Sequence, residues 1–316
     1  MRRPPYVKGL HDLGNGCFAY LQPDGGWGWS NAGLVTDGGE SLLVDTLFDL
    51  RLTADMLRSM RSATPAARRI GTLVNTHANG DHCYGNQLVE GATIIASAAS
   101  AAEMDELPPD RMAAILKSAK SLGPGGAFLA QCFGAFQFEG IIHTPPTETF
   151  RGECVRRVGS KEVRLIEVGP AHTKGDVLVH VPADRVVFTG DILFIDGTPV
   201  MWAGPVANWI SACERIAALD VDAVVPGHGP VTDPQGALRV RDYLVYVRDE
   251  TRIRFDAGLS PADAARDIAL GGFSAWGDAE RIAVNVHTLY RELSGGSTPE
   301  PNALELFALM GELARR

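Results

Sequence analysis

Short apolar runs broken by Gly, Asp and Pro clusters open the chain. CFAYL (17–21), AGLVTD (32–37) and SLLVDT (41–46) predict three strands. Residues 50–66 predict a helix, because Leu50, Leu52, Met56, Leu57 and Met60 recur near helical spacing. Strands are expected again at 69–77 (RIGTLVNTH) and 93–97 (TIIAS). Residues 98–135 are rich in Ala and Met, with helical spacing around Met112, Ile115 and Leu116, and predict a helical excursion over one face. FQFEGII (136–142) predicts a strand. Two hairpins follow: 153–158 with 161–169, and 176–182 with 185–190. A helix over about 205–219 precedes the strand DAVVPG (222–227), and from 236 onward the pattern is helical, broken near LGGFSAWGD.

Hairpins dominate this order and no regular βαβ repeat interrupts it. Two sheets packed face to face with helices outside are therefore expected, rather than a doubly wound sheet. The expected division is residues 1–235 as the sandwich domain, with 98–135 as a lid over it, and 236–316 as a helical extension packed on that domain.

Composition narrows the partners. The chain has 316 residues and a formal net charge of -9. An acidic chain has no general attraction for nucleic acid or anionic lipid, so neither is expected as a partner. Five scattered cysteines without a CxxC pair argue against a disulfide framework or a thiolate zinc site. The N-terminal MRRPPYVKGLHDLG has no apolar run behind its arginines, and no stretch reaches membrane-spanning length. A cytoplasmic address is the default expectation. The helical tail is a candidate homodimer contact.

The chemistry lies beyond the apolar runs. His77 and His82 follow GTLVNT, His172 follows VRLIEVGPA, Asp191 follows RVVFTG, and His228 follows DAVVPG. The local sequences are His77-Ala-Asn79-Gly-Asp81-His82, Pro170-Ala-His172, Thr189-Gly-Asp191 and Pro226-Gly-His228-Gly. Strand ends fixed by a sheet can hold several ligands at once, and imidazole with carboxylate suits a divalent metal that keeps a water. One such fragment is weak evidence; all four in order are strong.

Taken together, the fragments resemble the metal-binding motifs of the metallo-β-lactamase superfamily over roughly residues 15–235, and Asp45 in SLLVDT resembles a residue supporting the metal-binding loop there. The resemblance implies an α/β fold of four layers, an αββα sandwich with the metal centre at one edge. It implies one metal held by His77, His172 and the residue at 79, a second held by Asp81, His82 and His228, and Asp191 bridging them. The family pattern has His where this chain has Asn79. A neutral amide oxygen binds zinc more weakly than imidazole. The site is then dinuclear with a weak first position, or mononuclear in the second, or Asn79 has turned to substrate or water; the second position is expected to fill first.

The expected cofactor is zinc, one or two ions per chain, with iron or manganese as open alternatives. The expected function is hydrolysis of a small ester, lactone, thioester or amide by metal-activated hydroxide, with Asp81 orienting the water or carrying a proton. Trp27, Trp29, Met201 and Trp202 are candidate substrate contacts in an apolar wall, although such residues are more often core. The alternatives are iron-dependent redox or oxygen chemistry and a non-catalytic binding protein. Asp176 is expected to cap a strand start, Cys83 to be a small buried hydrophobe, His180 to lie on the far face of its strand, and His11, His143 and His287 to be ordinary.

Overall fold

The computed structural model describes residues 3–316. Strands β1 (Gly9–Gly14), β2 (Cys17–Leu21), β3 (Ala32–Asp37), β4 (Glu40–Val44), β5 (Thr72–Val74), β6 (Thr93–Ser97) and β7 (Glu148–Phe150) form one sheet in that order. Strands β8 (Glu153–Val158), β9 (Lys161–Glu167), β10 (Val177–Val181), β11 (Val186–Phe188) and β12 (Ala223–Val225) form a second, ordered β12-β11-β10-β9-β8.

Side chains that alternate along these strands build two cores. Cys17, Ala19 and Leu21, with Leu42, Val44, Val163, Leu165, Val177, Val179 and Val181, fill the space between the sheets. The residues between them, including Tyr20, Leu43, Leu73, Leu178 and Val187, face the helices. Gly33 on β3 is required by this packing, because a β-carbon there would overlap the Phe188 ring of the opposite sheet. Both faces of each sheet are thus covered, giving the four layers.

Helix α1 (Leu50–Ala63) starts where the Asp49 side chain accepts the Leu52 N–H, and buries Leu52, Met56, Leu57 and Met60. It stops short of the expected residue 66, because Pro65 opens a separate 3₁₀ turn. A one-turn helix, α2 (Gly80–Cys83), carries Asp81 and His82. The excursion is α3 (Ala98–Met104), α4 (Pro109–Ser118) and α5 (Gly123–Phe133). Helix α6 (Val206–Ala217) leads into β12, and α7 (Pro234–Asp256), α8 (Pro261–Asp267), α9 (Ile282–Leu293) and α10 (Ala303–Leu313) complete the chain. Helix α7 packs on α6, and α10 packs on α5, so the C-terminal helices reach both the sandwich and the excursion.

One expected strand is absent and two strands appear where none was expected. FQFEGII is not a strand: Phe136 and Phe138 instead close on Phe48, with ring centroids 4.8 and 4.7 Å away. The alternation there serves an aromatic cluster without a hydrogen-bonded neighbour. The strand that joins this edge is β7, whose Glu148 and Thr149 carry no apolar signal. The mostly polar β1 was also not expected; its ladder with β2 forms it. No helix among the described residues is long and apolar enough to cross a membrane.

Candidate metal centre

Strands β4, β5 and β6 run parallel to one another, as do β11 and β12, and β9 shares their sense through the antiparallel β10. His77, Asp81 and His82 therefore leave β5, His172 leaves β9, Asp191 leaves β11 and His228 leaves β12 at one common edge. All six are buried.

Asp45, just past β4, organises the edge. Its carboxylate accepts the Thr76 N–H (2.7 Å), the Thr76 hydroxyl (2.7 Å) and His82 Nδ1–H (2.9 Å). Because the Thr76 hydroxyl spends its proton on Asp45, it accepts from His77 Nδ1 at 3.0 Å. His172 Nδ1 lies 2.6 Å from the Val200 carbonyl and must donate to it. Each ring thus commits Nδ1–H to the protein, and the Nε2 atoms of His77 and His82 face inward.

His82 Nε2 lies 3.1 Å from Asp191 Oδ1 and 3.7 Å from Asp81 Oδ2. His228 Nε2 is 3.3 Å from Asp81 Oδ2 and 3.3 Å from Asp191 Oδ2. Metal–ligand bonds of about 2.0–2.1 Å imply donor–donor edges of about 3.3 Å in a tetrahedron. The four distances bracket that edge. His77 Nε2, His82 Nε2 and Asp191 Oδ1 are buried and make no hydrogen bond. Orphaned buried polar atoms are costly unless something binds them, and a cation placed among these three would do so. Two triads, His77–His82–Asp191 and Asp81–His82–His228, have ligand atoms all within 4.8 Å of one another. The residues fit a divalent metal.

Electrostatics agree. Burial alone raises the Asp191 carboxyl, but His228, His82 and His77 outweigh it and hold the group well below the usual carboxylate range. Burial likewise opposes ionisation of Asp81, and His82 and His228 overcome it. Burial lowers His172 to about 4, and pushes His77 well below its ordinary value. His228 is raised to about 9 despite burial, chiefly by Asp191. Metal-free, the edge keeps two carboxylates ionised and holds protons on His82 and His228, which a cation bound there would displace.

Asn79 meets His172, its Oδ1 standing 2.7 Å from Nε2. Trp27 and Trp202 face each other with ring centroids 6.3 Å apart. Trp202 is tied to the centre because its N–H donates to the His172 carbonyl at 3.0 Å. Trp29 packs on Phe136 and, half-buried, lines a pocket beside Trp27, whereas Met201 is fully buried in the core. Asp176 accepts the Thr173 N–H and hydroxyl. His180 lies on the helix-facing side of β10, and His287 lines a separate cavity of 590 Å³ among the C-terminal helices.

Several contributors carried no local signal. Phe194 stacks on His228, with ring planes 2° apart. The Asn31 amide donates to the Pro226 and Gly229 carbonyls, fixing the turn that holds His228. Arg281, buried near the start of α9, lies over Trp27 at 4.4 Å and over Phe194 at 5.2 Å. Phe133 of α5 and Phe307 of α10 pack on Trp27 at 5.8 and 6.0 Å. The excursion and the C-terminal helices thus share one aromatic wall.

Gly227 is a sensitive point. A β-carbon there would overlap Asp191 Oδ1. Gly227→Ala is expected to lower metal affinity about 10- to 100-fold, as displaced ligand supports do, with the circular-dichroism spectrum unchanged. Chelator competition measures it, and unaltered affinity would show that Asp191 can move without loss.

The sequence model of the Metallo-beta-lactamase superfamily matches residues 25–228. The 2,4-dinitroanisole O-demethylase subunit alpha of Nocardioides sp. (strain JS1661) is 31% identical over 90 residues, 27% of this chain and 26% of that protein. The hydroxyacylglutathione hydrolase of Maricaulis maris (strain MCS10) is 25% identical over 183 residues, 58% of this chain and 54% of that protein. The chain therefore spans about half, or less, of the length of these curated relatives. The solved sec-alkylsulfatase Pisa1 from Pseudomonas sp. superposes with a TM-score of 0.66 at 14% identity, covering 93% of this chain and 52% of that one.

Proposed function

The chain belongs to the metallo-beta-lactamase superfamily, and from that premise we propose that it is a metal-dependent hydrolase of a small ester, lactone, thioester or amide. One observation carries the reading: imidazole Nε2 atoms and carboxylates from separate strand ends converge, with buried atoms that make no hydrogen bond among them. Zinc is the proposed ion, since nitrogen and carboxylate donors near tetrahedral spacing suit it. When bound, such an ion supplies Lewis acidity and lowers the pKa of its water from about 15.7 toward about 7.

The chain's own residues do the rest. Asp81 is the proposed proton carrier. Its side chain is 13% exposed against 4% for Asp191, so it can exchange a proton with solvent. Asp45 holds His82 in the tautomer that leaves Nε2 free. Phe194 limits tilting of the His228 ring. Trp27 and Trp202, backed by Phe133 and Phe307, would seat the apolar part of the substrate and exclude water.

The test is a panel of hydroxyacylglutathione, aryl ester, lactone, β-lactam and sec-alkyl sulfate, each run with the purified chain, after chelation and after zinc is returned. Turnover of a carbonyl substrate that chelation abolishes and zinc restores is the expected result. Bound metal with no turnover on any member would instead favour a binding protein. In the same samples chelation should lower the melting temperature: free zinc at about 100 times its Kd stabilises the fold by about 2.7 kcal/mol. Equal melting with and without chelator would argue against a metal bound in the native state.

A further inference from the structure

The arrangement around Asn79 decides how many ions the centre holds, an inference that rests on the metal-dependent reading above. We infer that Asn79 and His172 close on each other and that the chain binds one ion, at Asp81, His82 and His228 with Asp191 beside them.

The first argument is a length. Asn79 Oδ1 and His172 Nε2 are 2.7 Å apart. Two donors on one ion are separated by about 3.3 Å in a tetrahedron and by about 2.9 Å even in an octahedron, given bonds of about 2.0–2.1 Å. The metal-free pair is closer than two donors on one ion and has the separation of a hydrogen bond. At the other position the edges run from 3.1 to 3.7 Å.

The second argument is a count of lone pairs. His172 Nδ1–H is committed to the Val200 carbonyl. A neutral ring then has its only lone pair on Nε2; Asn79 Oδ1 is itself an acceptor, so the hydrogen bond to the neutral ring forms with the Asn79 amide turned to present its Nδ2–H there. A doubly protonated ring has no lone pair, and Nε2–H donates to Asn79 Oδ1. In either protonation state one orientation of the Asn79 amide caps Nε2, and a cation at the first position would have to displace it. Histidine in place of Asn79 would present a second imidazole there instead of a partner that caps the first.

The third argument concerns His82. Both compact triads include it, and His172 belongs to neither. A single Nε2 lone pair binds one ion, so the two triads are alternatives. The Asp81–His82–His228 triad has the second carboxylate and Asp191 within 3.3 Å of His228. His77 Nε2, 3.7 Å from Asp191 Oδ2, is then free to accept a hydrogen bond from water or from a substrate hydroxyl.

Equilibrium dialysis of the full chain against excess zinc, followed by elemental analysis, tests this directly. The natural chain should hold about one zinc and Asn79→His about two, since the variant restores a three-donor first position. His172→Ala should keep about one zinc with an unchanged chelator-competition Kd, whereas His228→Ala should weaken binding by more than about 100-fold, beyond the loss from an orienting partner. These two variants decide the matter even if Asn79→His does not fold. About two zinc ions in the natural chain, an Asn79→His chain still at one, or loss of zinc in His172→Ala overturns the inference and leaves the hydrolase reading standing. Loss in His77→Ala but not in His228→Ala overturns the assigned position. No zinc in any form overturns both readings.

Discussion

Asp191→Ala should yield a chain that folds but no longer retains metal, and this is the largest single effect expected. Four imidazole Nε2 atoms, from His77, His82, His172 and His228, lie 3.7, 3.1, 3.3 and 3.3 Å from its carboxylate. Metal affinity should fall by more than about 100-fold, beyond the effect of removing an orienting partner, and turnover should fall with it. The metal-free protein also suffers. His228 holds a proton with its pKa raised to about 9, and Asp191 is the main cause opposing burial. Removing one member of a buried charge pair costs about 3–5 kcal/mol. The sign follows from linkage: a histidine whose folded pKa exceeds its unfolded value of about 6.5 contributes stability fully below that pH. The contribution is lost as pH rises through the folded value. In chelator, the destabilisation by Asp191→Ala should therefore be largest near pH 6 and shrink toward pH 9. Denaturant titrations at both pH values measure it, and a pH-independent difference would show that the pair contributes nothing in the metal-free fold.

Asp45→Ala ranks second and acts without touching the metal. Its carboxylate accepts from Thr76 N, Thr76 Oγ1 and His82 Nδ1 inside the fold. Three donors would be left without an acceptor at a buried position, each costing about 1–3 kcal/mol unless water enters, so a loss of about 3 kcal/mol is expected. His82 would also lose the partner that fixes its tautomer, which should lower metal affinity about 10- to 100-fold. Asp45 further adopts φ of 62°, a left-handed backbone that Asp and Asn tolerate better than Ala. Asp45→Asn is therefore the milder variant, keeping one acceptor oxygen. Reduced stability with unchanged zinc affinity would reduce Asp45 to a structural role.

The aromatic wall shows where sequence reasoning stops. Trp27 and Trp202, like Trp29 and Met201, stood out because they lie in the Gly-rich stretch 24–31 and in the segment 197–209 that follows Asp191. Nothing near Phe133, Arg281 or Phe307 announced that they would meet Trp27, because their partners lie 106, 254 and 280 positions away along the chain. The same limit explains FQFEGII. Its alternation of apolar side chains is genuine, but alternation only asks for a buried face; here aromatic packing on Phe48 supplies it and a neighbouring strand does not. In contrast, β7 is short and polar and is a strand only because the edge of β6 offers it hydrogen bonds.

What the sequence determined by itself is the set of candidate ligands and their order. Strand and candidate ligand are neighbours in the chain, so His77, His82, His172, Asp191 and His228 could be placed beyond strand ends from local pattern, while Asp81 and the division of the set between two ions came from the family resemblance. The layered sandwich followed from hairpin order for the same reason, since both depend on contacts close in sequence. The tertiary structure alone decided that Asn79 closes on His172, 93 positions away, and that Asp45 sets the tautomer of His82. It alone brought the last helices over the centre. Those outcomes turn on differences of a few tenths of an ångström between groups from separate elements, and only the packing of the two sheets and their helices fixes such distances.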